Sequence, residues 1–354
     1  MNPLFSMFVL MLLLTLNFSC ADKKPTETSI TNQEVLQTNK SDTLQFTSGI
    51  RAILQDSKGN YWLGSHTEGV CKFDGKTFEY FTTNEGLASN QVRAIQEDAK
   101  GIIWFETANG PCSYDGKTIT NHSIALKSYP ESNWQKAEND LWFTRGDSEG
   151  VYRYDGQNIH FLAFPKPVKA DSMNNYMVTN MSKGKTTQWF ATYPAVFGYD
   201  GKNTIVIDNE SLGLKVETGG LHVRSIFEDS KGRVWIGNNG IGVLLKEGDS
   251  IINFSEKYHL IHPESKRRGA KSPVGTLEHV FAIAEDNEGN MWFGDRDTGA
   301  WKFDGTNFTH YTIDNKLATP MIWCIYKDNT NNLLFGLANG GVYKFNEKTF
   351  EKVF

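Results

Sequence analysis

Short runs that alternate apolar and polar side chains recur along most of the chain, as in "IRAIL", "NYWLGS", "VCKFD" and "FEYFT" within residues 50–82. A period of two is typical of β-strands with one buried face. An Asp-x-x-Gly at residues 56–59 separates the first two runs, and Asp74-Gly75 follows the third; both are tight-turn signals. The pattern therefore predicts four short antiparallel strands joined by tight turns.

This four-strand unit occurs seven times. Further copies begin at Val92, Asp140, Gln188, Val223, Val280 and Ile322. The anchor position of the second run is held by Trp62, Trp104, Trp142, Trp189, Trp235, Trp292 and Leu334. The third and fourth copies lack a clear Asp-x-x-Gly before the Trp, which leaves the place of their first strands open. Radial repetition of such sheets protects their edges, so we predict an all-β, seven-bladed β-propeller of four-stranded antiparallel blades.

The phrases "DSKGNYWLGS" and "FEYFTTNEGLASNQVRAI", with their copies, resemble the two-component-regulator propeller repeat of bacteria. The resemblance covers about residues 49–354. In the best-known members this propeller is the periplasmic half of a hybrid histidine kinase, with more repeats, a β-sandwich and a transmembrane helix. The resemblance therefore implies recognition of a ligand or partner, and we expect no kinase activity from this chain itself.

The amino-terminal segment differs from the repeats. Residues 4–16 are almost all apolar, a run shorter than the roughly 20 residues of a membrane-spanning helix and suited to a signal peptide. The following "LNFSC" resembles the lipobox of bacterial lipoproteins, although Asn17 and the absence of a preceding Lys or Arg depart from that pattern. We expect a signal peptide at 1–20 with lipidation of Cys20, a flexible polar tether at 21–44 and the propeller at 45–354. The alternative is an ordinary cleaved signal with an incidental Cys. The expected location is the bacterial cell envelope, with the membrane reached through the lipid anchor only.

The charge and the cysteine content exclude some classes of partner and bound group. The net charge of −5 is spread along the chain, which gives no basic face for nucleic acid. The three remaining cysteines, Cys71, Cys112 and Cys324, are too few and too far apart for a disulfide framework or a zinc site. We expect a monomer without metal or cofactor.

The first strands supply candidate ligand-binding residues. Arg51, Arg93 and Arg224 hold equivalent places in three copies, and Phe281 and Trp323 hold that place in two others. A partial ring of guanidinium groups near the channel would suit a carboxylate or sulfate. The alternative is that each Arg pairs with the acid near the end of its strand, as Asp56, Asp98 or Asp229.

The loops between second and third strands should gather at one mouth of the channel. They differ between copies and present His66, Arg145, Asn239 and Arg296. This variety indicates either recognition or ordinary surface drift. Trp134 and Trp323 could stack on a sugar or pack in the core. The insertion at 255–275 carries the basic cluster 266–268, either at the same mouth or as a solvated loop.

These features favour a binding or sensing module over an enzyme, because no nucleophile, phosphate-loop or metal motif is present. We expect it to recognise a small molecule or saccharide at the loop face. One alternative is a docking platform for an envelope protein or a separate sensor kinase. A less favoured alternative is a lyase, because streptogramin lyases are propellers with similar repeats; His66, His222 and His279 with Glu68 and Glu278 supply residue types for acid-base chemistry.

Overall fold

The computed structural model describes residues 39–123, 131–144, 149–165, 176–215, 219–263, 270–314, 316–317 and 319–354. Its strands form seven antiparallel sheets. The inner strands of the first and second sheets are neighbours, as are those of the fourth to seventh sheets in succession, and the inner strand of the last sheet contacts that of the first. The predicted seven-bladed propeller is confirmed. No helix within these residues is long and apolar enough to cross a membrane.

The strands of each blade follow chain order from the inner to the outer edge. Blade 1 contains β2 (Ile50–Gln55), β3 (Tyr61–Ser65), β4 (Val70–Phe73) and β5 (Phe78–Phe81), with the added strand β1 (Asn39–Ser41) outside β5. Blade 2 contains β6 (Val92–Glu97), β7 (Ile103–Thr107), β8 (Gly110–Tyr114) and β9 (Ile119–Asn121). Blade 3 contains β10 (Leu141–Thr144), β11 (Gly150–Tyr154) and β12 (Ile159–Ala163). Blade 4 contains β13 (Val178–Lys183), β14 (Gln188–Thr192), β15 (Ala195–Tyr199) and β16 (Thr204–Asp208).

The remaining blades follow the same order. Blade 5 contains β17 (Val223–Glu228), β18 (Val234–Asn238), β19 (Val243–Glu247) and β20 (Ser250–Asn253). Blade 6 contains β21 (Val280–Glu285), β22 (Met291–Asp295), β23 (Gly299–Phe303) and β24 (Phe308–Tyr311). Blade 7 contains β25 (Ile322–Lys327), β26 (Leu333–Leu337), β27 (Val342–Phe345) and β28 (Phe350–Lys352). A 3₁₀ turn (Thr83–Glu85) and a short helix α1 (Phe254–Lys257) lie in the connections.

The repeated Asp and Trp form one unit. In blade 1, Asp56 accepts hydrogen bonds from the backbone N–H groups of Lys58 and Asn60, and its second oxygen accepts the Trp62 indole N–H at 2.9 Å. The same indole-to-carboxylate bond recurs in blades 2, 5 and 6, at Asp98, Asp229 and Asp286. One carboxylate therefore closes the turn and orients the largest core side chain of its blade.

The ring closes between blades 7 and 1 through side chains. Phe354 packs on Tyr61, Phe73 and Phe78, and the Tyr61 hydroxyl donates to Asp328 at 2.9 Å. On the outer edge of blade 1, β1 pairs with β5, and Tyr80 donates to the Thr43 carbonyl. The propeller thus begins before the predicted boundary at residue 45, because the open edge of β5 is available for pairing.

Blade 3 differs from the other blades on its inner side. Within the described residues, no strand lies inward of β10. Residues 131–140, which precede β10, instead run between blades 3 and 4, where Trp134 packs on Trp142, Phe190 and Tyr199. Trp134 therefore packs against the core. Among the residues described around this blade no strand occupies its inner position, which we call the open inner position of blade 3. Blade 4, whose first strand was equally open from the sequence, has a complete inner strand.

Candidate functional site

The inner strand of six blades carries a β-bulge near its first residue. In each strand one residue is skipped in the pairing register with the second strand. The skipped residues are Arg51, Arg93, Thr179, Arg224, Phe281 and Trp323. We call this set the bulge ring. A bulge re-aims a side chain away from the sheet face, which is how these positions come to face the centre of the ring.

All six members of the bulge ring line one cavity of about 820 Å³. The cavity joins the central channel to the open inner position of blade 3, since Leu141, Trp142 and Thr144 of β10 also line it. Its volume lies within the range of roughly 300 to 1,000 Å³ that is usual for small-molecule sites. The three arginines that the sequence suggested therefore line one cavity.

Arg51 lies at the centre of one cluster. Its guanidinium stacks 5.0 Å from the Trp323 ring and contacts His66 Nδ1 at 3.3 Å. Gln91 reaches the same nitrogen at 3.3 Å and accepts a hydrogen bond from Arg93 Nε at 3.1 Å. Burial, followed by the charge of Arg51, lowers the pKa of His66, so the ring is neutral near pH 7 and accepts at Nδ1. Three predicted first-strand residues, Arg51, Arg93 and Trp323, and one predicted loop residue, His66, thus form a connected group.

Arg224 lies in a second cluster on the other side of the cavity. Its guanidinium lies between the rings of Tyr193 and Phe281, at 4.9 and 5.0 Å, and donates to the Tyr193 hydroxyl at 3.3 Å. Tyr193 packs edge-on against His222. The aromatic faces hold the guanidinium in the mouth of the cavity.

Asn239 and Arg296 lie close to this second cluster, but their side chains interact with each other. Arg296 donates to the Asn239 side-chain oxygen at 3.3 Å and forms an ion pair with Asp297 at 2.7 Å. Neither residue lines the cavity. They are neighbours of the site and not part of its wall.

The bulge ring brings three positive charges to the cavity, whose lining also includes the acids Glu97, Glu106, Glu138 and Asp140. Burial, together with the nearby charges of Arg93 and Arg224, lowers the pKa of Arg51 to about 10, while the charge of Glu106 partly opposes them. Three guanidinium groups in one partly desolvated space therefore repel one another. An anion bound among them would relieve that repulsion.

The alternative pairing of these arginines with acids at the strand ends is wrong for Arg51 and Arg93. Asp56 and Asp98 are occupied by their turns and by their Trp indoles, and no ion pair within the described residues joins either to these arginines. Geometry explains this, because the Arg begins its strand and the Asp follows the end, about 17 Å away along a six-residue strand. Asp229 likewise pairs with Arg233, at 2.7 Å.

Some predicted residues lie outside the described residues. These are Cys20, Arg145 and the basic cluster 266–268. Their proposed roles stay predictions.

Glu106 is a cavity residue that the repeat pattern did not predict. At the equivalent place blades 1, 5, 6 and 7 have Gly64, Gly237, Gly294 and Gly336. A Cβ at Gly64 would lie 2.7 Å from Val92 of the next inner strand, and one at Gly294 would lie 2.7 Å from Ile322. Blade 2 can hold a long side chain there because the next blade has no inner strand among the described residues. The available signal was "WFET" where blades 1, 5 and 6 read "W-x-Gly" and blade 7 reads "LFG".

Glu106 and Gln96 occupy part of that open position. The Glu106 carboxylate accepts the Thr144 backbone N–H at 3.0 Å and its hydroxyl at 3.1 Å. The Gln96 amide donates to the Trp142 carbonyl at 2.8 Å. Two side chains thus satisfy backbone groups of β10 that an inner strand would otherwise pair.

The histidines offered for catalysis are dispersed. His66 belongs to the Arg51 cluster, whereas the His279 side chain is fully buried near Asp297, at 3.9 Å. Burial lowers the pKa of His279, with the charge of Arg296 acting in the same direction. Among the described residues no group of His, Cys, Asp and Glu is arranged to hold a metal ion.

Four segments of the chain match the family model of the "Two component regulator propeller": residues 45–67, 86–107, 219–240 and 276–297. This confirms the resemblance drawn from the repeats. The four matched segments are repeats of the two-component-regulator propeller type. No curated protein matches the sequence.

Solved structures share the fold at low identity. One is the extracellular domain of the BT3049 protein of B. thetaiotaomicron, described as that of a hybrid two-component system: TM-score 0.57, 18% identity, covering 87% of this chain and 40% of that domain. A second is the virginiamycin B lyase of Staphylococcus aureus: TM-score 0.59, 14% identity, covering 87% of this chain and 98% of the lyase. A third is the WD40 propeller domain of Doa1: TM-score 0.55, 10% identity, covering 88% and 97%. Because one fold serves a two-component receptor, a lyase and a WD40 domain, these similarities define architecture alone.

Proposed function

We propose that this propeller of the two-component-regulator type is an extracytoplasmic binding or sensing module that holds a small anionic molecule, such as an acidic saccharide or a carboxylate, in its central cavity. One observation carries the proposal: Arg51, Arg93 and Arg224 converge on a single cavity of about 820 Å³. Guanidinium groups bind planar and tetrahedral anions through paired hydrogen bonds. Trp323 and Tyr193 add aromatic faces beside two of them.

A small ligand is favoured over a protein docking surface by the distribution of apolar residues. The large apolar side chains exposed among the described residues are Ile252, Val274 and Val353, in blade 5, the insertion and the carboxyl terminus. A docking platform would be expected to present a contiguous apolar patch. Charged and aromatic side chains instead line the cavity.

Binding is likewise favoured over lyase chemistry. A general base must reach the proton it removes. His279 is fully buried, and His66 is held between Arg51, Gln91 and Trp323. These arrangements suit positioning more than proton transfer.

The test is a thermal-shift titration of the propeller with sodium sulfate, sodium D-glucuronate, sodium succinate and, as the neutral comparison, D-glucose. A ligand that binds only the folded state raises the melting temperature with concentration. We expect protection by at least one anion and its loss when Arg51, Arg93 and Arg224 are all replaced by Gln. The matched control replaces exposed Lys76, Lys117 and Lys202 by Gln, which removes the same charge from outer turns. Equal protection of both triple variants, or no protection of the wild type by any anion, would reject the proposal.

Export and anchoring through Cys20 form a separate part of the proposal, based on the apolar run and the lipobox-like "LNFSC". The test is incorporation of labelled palmitate in a bacterial host. Label in the wild type that is lost in Cys20→Ala supports the anchor. A cleaved, unlabelled wild-type protein would favour an ordinary signal peptide.

A further inference from the structure

Glu106 is a buried acid that lines the same cavity as Arg51, Arg93 and Arg224. Glu106 is 2% exposed, and its carboxylate accepts a hydrogen bond from the Thr144 backbone N–H. The equivalent position is a glycine in blades 1, 5, 6 and 7, so the repeat itself does not require an acid at this position. Its presence therefore needs an explanation from the cavity.

The groups that face Glu106 come from several elements. Arg51 of β2 and Arg93 of β6 favour its ionised form, as do the N–H and hydroxyl groups of Thr144 in β10. Burial acts in the opposite direction and prevails, so that the pKa of Glu106 is raised. The other charged or titratable side chains lining the cavity are Glu97, Glu138, Asp140, Lys183, Tyr193 and Arg224. Of these, Asp140 is paired with Arg153.

The ionised state of Glu106 thus depends on the arginine field. When the cavity is empty, Arg51 and Arg93 are the charges that offset the cost of burying this carboxylate. An anion bound to the same guanidinium groups would cancel part of their field and repel the carboxylate. Both effects favour the protonated acid.

We propose that Glu106 is the built-in counter-ion of Arg51 and Arg93, and that an anionic ligand takes over this role by driving a proton from solvent onto the Glu106 carboxylate. This inference rests on the proposed anion-binding function. Binding then couples to the uptake of at most one proton, and anion affinity rises as the pH falls toward the pKa of Glu106 in the empty protein. Glu106 consequently sets both the charge preference and the pH dependence of the site.

The experiment compares the wild type with Glu106→Gln, which keeps the shape and can still accept the Thr144 N–H. Titration calorimetry with sodium sulfate and sodium D-glucuronate, in buffers of different ionisation enthalpy, measures the protons taken up per anion bound. We expect fractional uptake by the wild type, no uptake by Glu106→Gln, and affinity about tenfold tighter in the variant at the highest pH, where the carboxylate charge is fully present. Glu351→Gln, on the exposed outer strand of blade 7, should behave as the wild type.

A ligand-free arm tests the counter-ion directly. The carbonyl stretch of protonated Glu106, identified by its absence in Glu106→Gln, is followed against pH in the wild type and in Arg51→Gln/Arg93→Gln. We expect the protonated band to persist to higher pH in the double variant. An unchanged titration, or equal proton uptake by wild type and Glu106→Gln, overturns the inference while leaving anion binding intact. Failure of every anion to bind either protein overturns the proposed function and this coupling together.

Discussion

Replacing Arg51 by Gln should stabilise the ligand-free propeller while weakening anion binding. The pKa of Arg51 is lowered from its usual value to about 10, chiefly by burial and then by the charge of Arg93. At 1.36 kcal/mol per pKa unit, holding this side chain charged costs the folded state about 3 kcal/mol. The substitution also removes the interactions of Arg51 with His66 and Trp323. Their loss costs about 1–2 kcal/mol and offsets part of the gain in the free energy of unfolding. The net expectation is an increase of about 1–2 kcal/mol in the free energy of unfolding.

Urea unfolding at pH 7, analysed by linear extrapolation, measures this increase. It should be constant while the pH stays below the folded pKa of about 10, because the guanidinium is charged in both folded and unfolded states there. Above that pH the wild type sheds the proton in the folded state first, so its stability recovers and the difference shrinks. A stabilised variant with weaker anion protection would show that the site is maintained at a cost in stability.

The matched control is Arg233→Gln. Arg233 Nε lies 2.7 Å from the buried Asp229 carboxylate, so its removal leaves this acid without its cationic partner and should destabilise the protein by about 1–3 kcal/mol. The reasoning therefore predicts that Arg51→Gln raises the free energy of unfolding and that Arg233→Gln lowers it. A loss of more than about 1 kcal/mol on Arg51→Gln, the scale of one polar contact, would refute the reasoning and assign Arg51 a structural role.

Three further substitutions test the fold. Phe354→Ala removes the ring that joins blades 7 and 1 and should cost about 2–4 kcal/mol by urea unfolding; an unchanged midpoint would show that side chains there do not close the propeller. Gly336→Ala places a Cβ 2.5 Å from Cys324 Sγ and should cost about 1–3 kcal/mol in the same assay, whereas wild-type stability would contradict the close approach of the inner strand. Asp56→Asn weakens the bond to Trp62 and should cost about 1–3 kcal/mol at pH 7. Burial alone would raise the pKa of Asp56, but bonds from Asn60 and Trp62 hold it below its usual value, so the difference from wild type should fade as the pH falls through the folded pKa; a pH-independent difference would contradict this.

The blade architecture was predictable because its signals are local. Alternating strands, Asp-x-x-Gly turns and the anchor Trp lie within one repeat, and Asp56 bonds to Trp62 six residues away. The equivalence of Arg51, Arg93 and Arg224 was likewise visible by aligning the copies. These arginines share a cavity because a β-bulge lies near the start of each strand. The alignment of the copies put the arginines at equivalent positions, but it did not show the bulge.

The site departs from the repeat where distant segments meet. In the sequence, Glu106 is visible as a break in the "W-x-Gly" pattern. Its side chain has room because of the open inner position of blade 3, whereas in the blades with glycine at this place the neighbouring inner strand leaves no room for a Cβ. The contacts of Arg51 with Trp323 join residues from the two ends of the propeller. By itself the sequence determined the number of blades, their turns and the arginine positions, because periodicity and turn chemistry act over a few residues. Only the tertiary structure decided which of these side chains share a cavity and which acid offsets their charge, because ring closure and burial bring together groups that no local pattern connects.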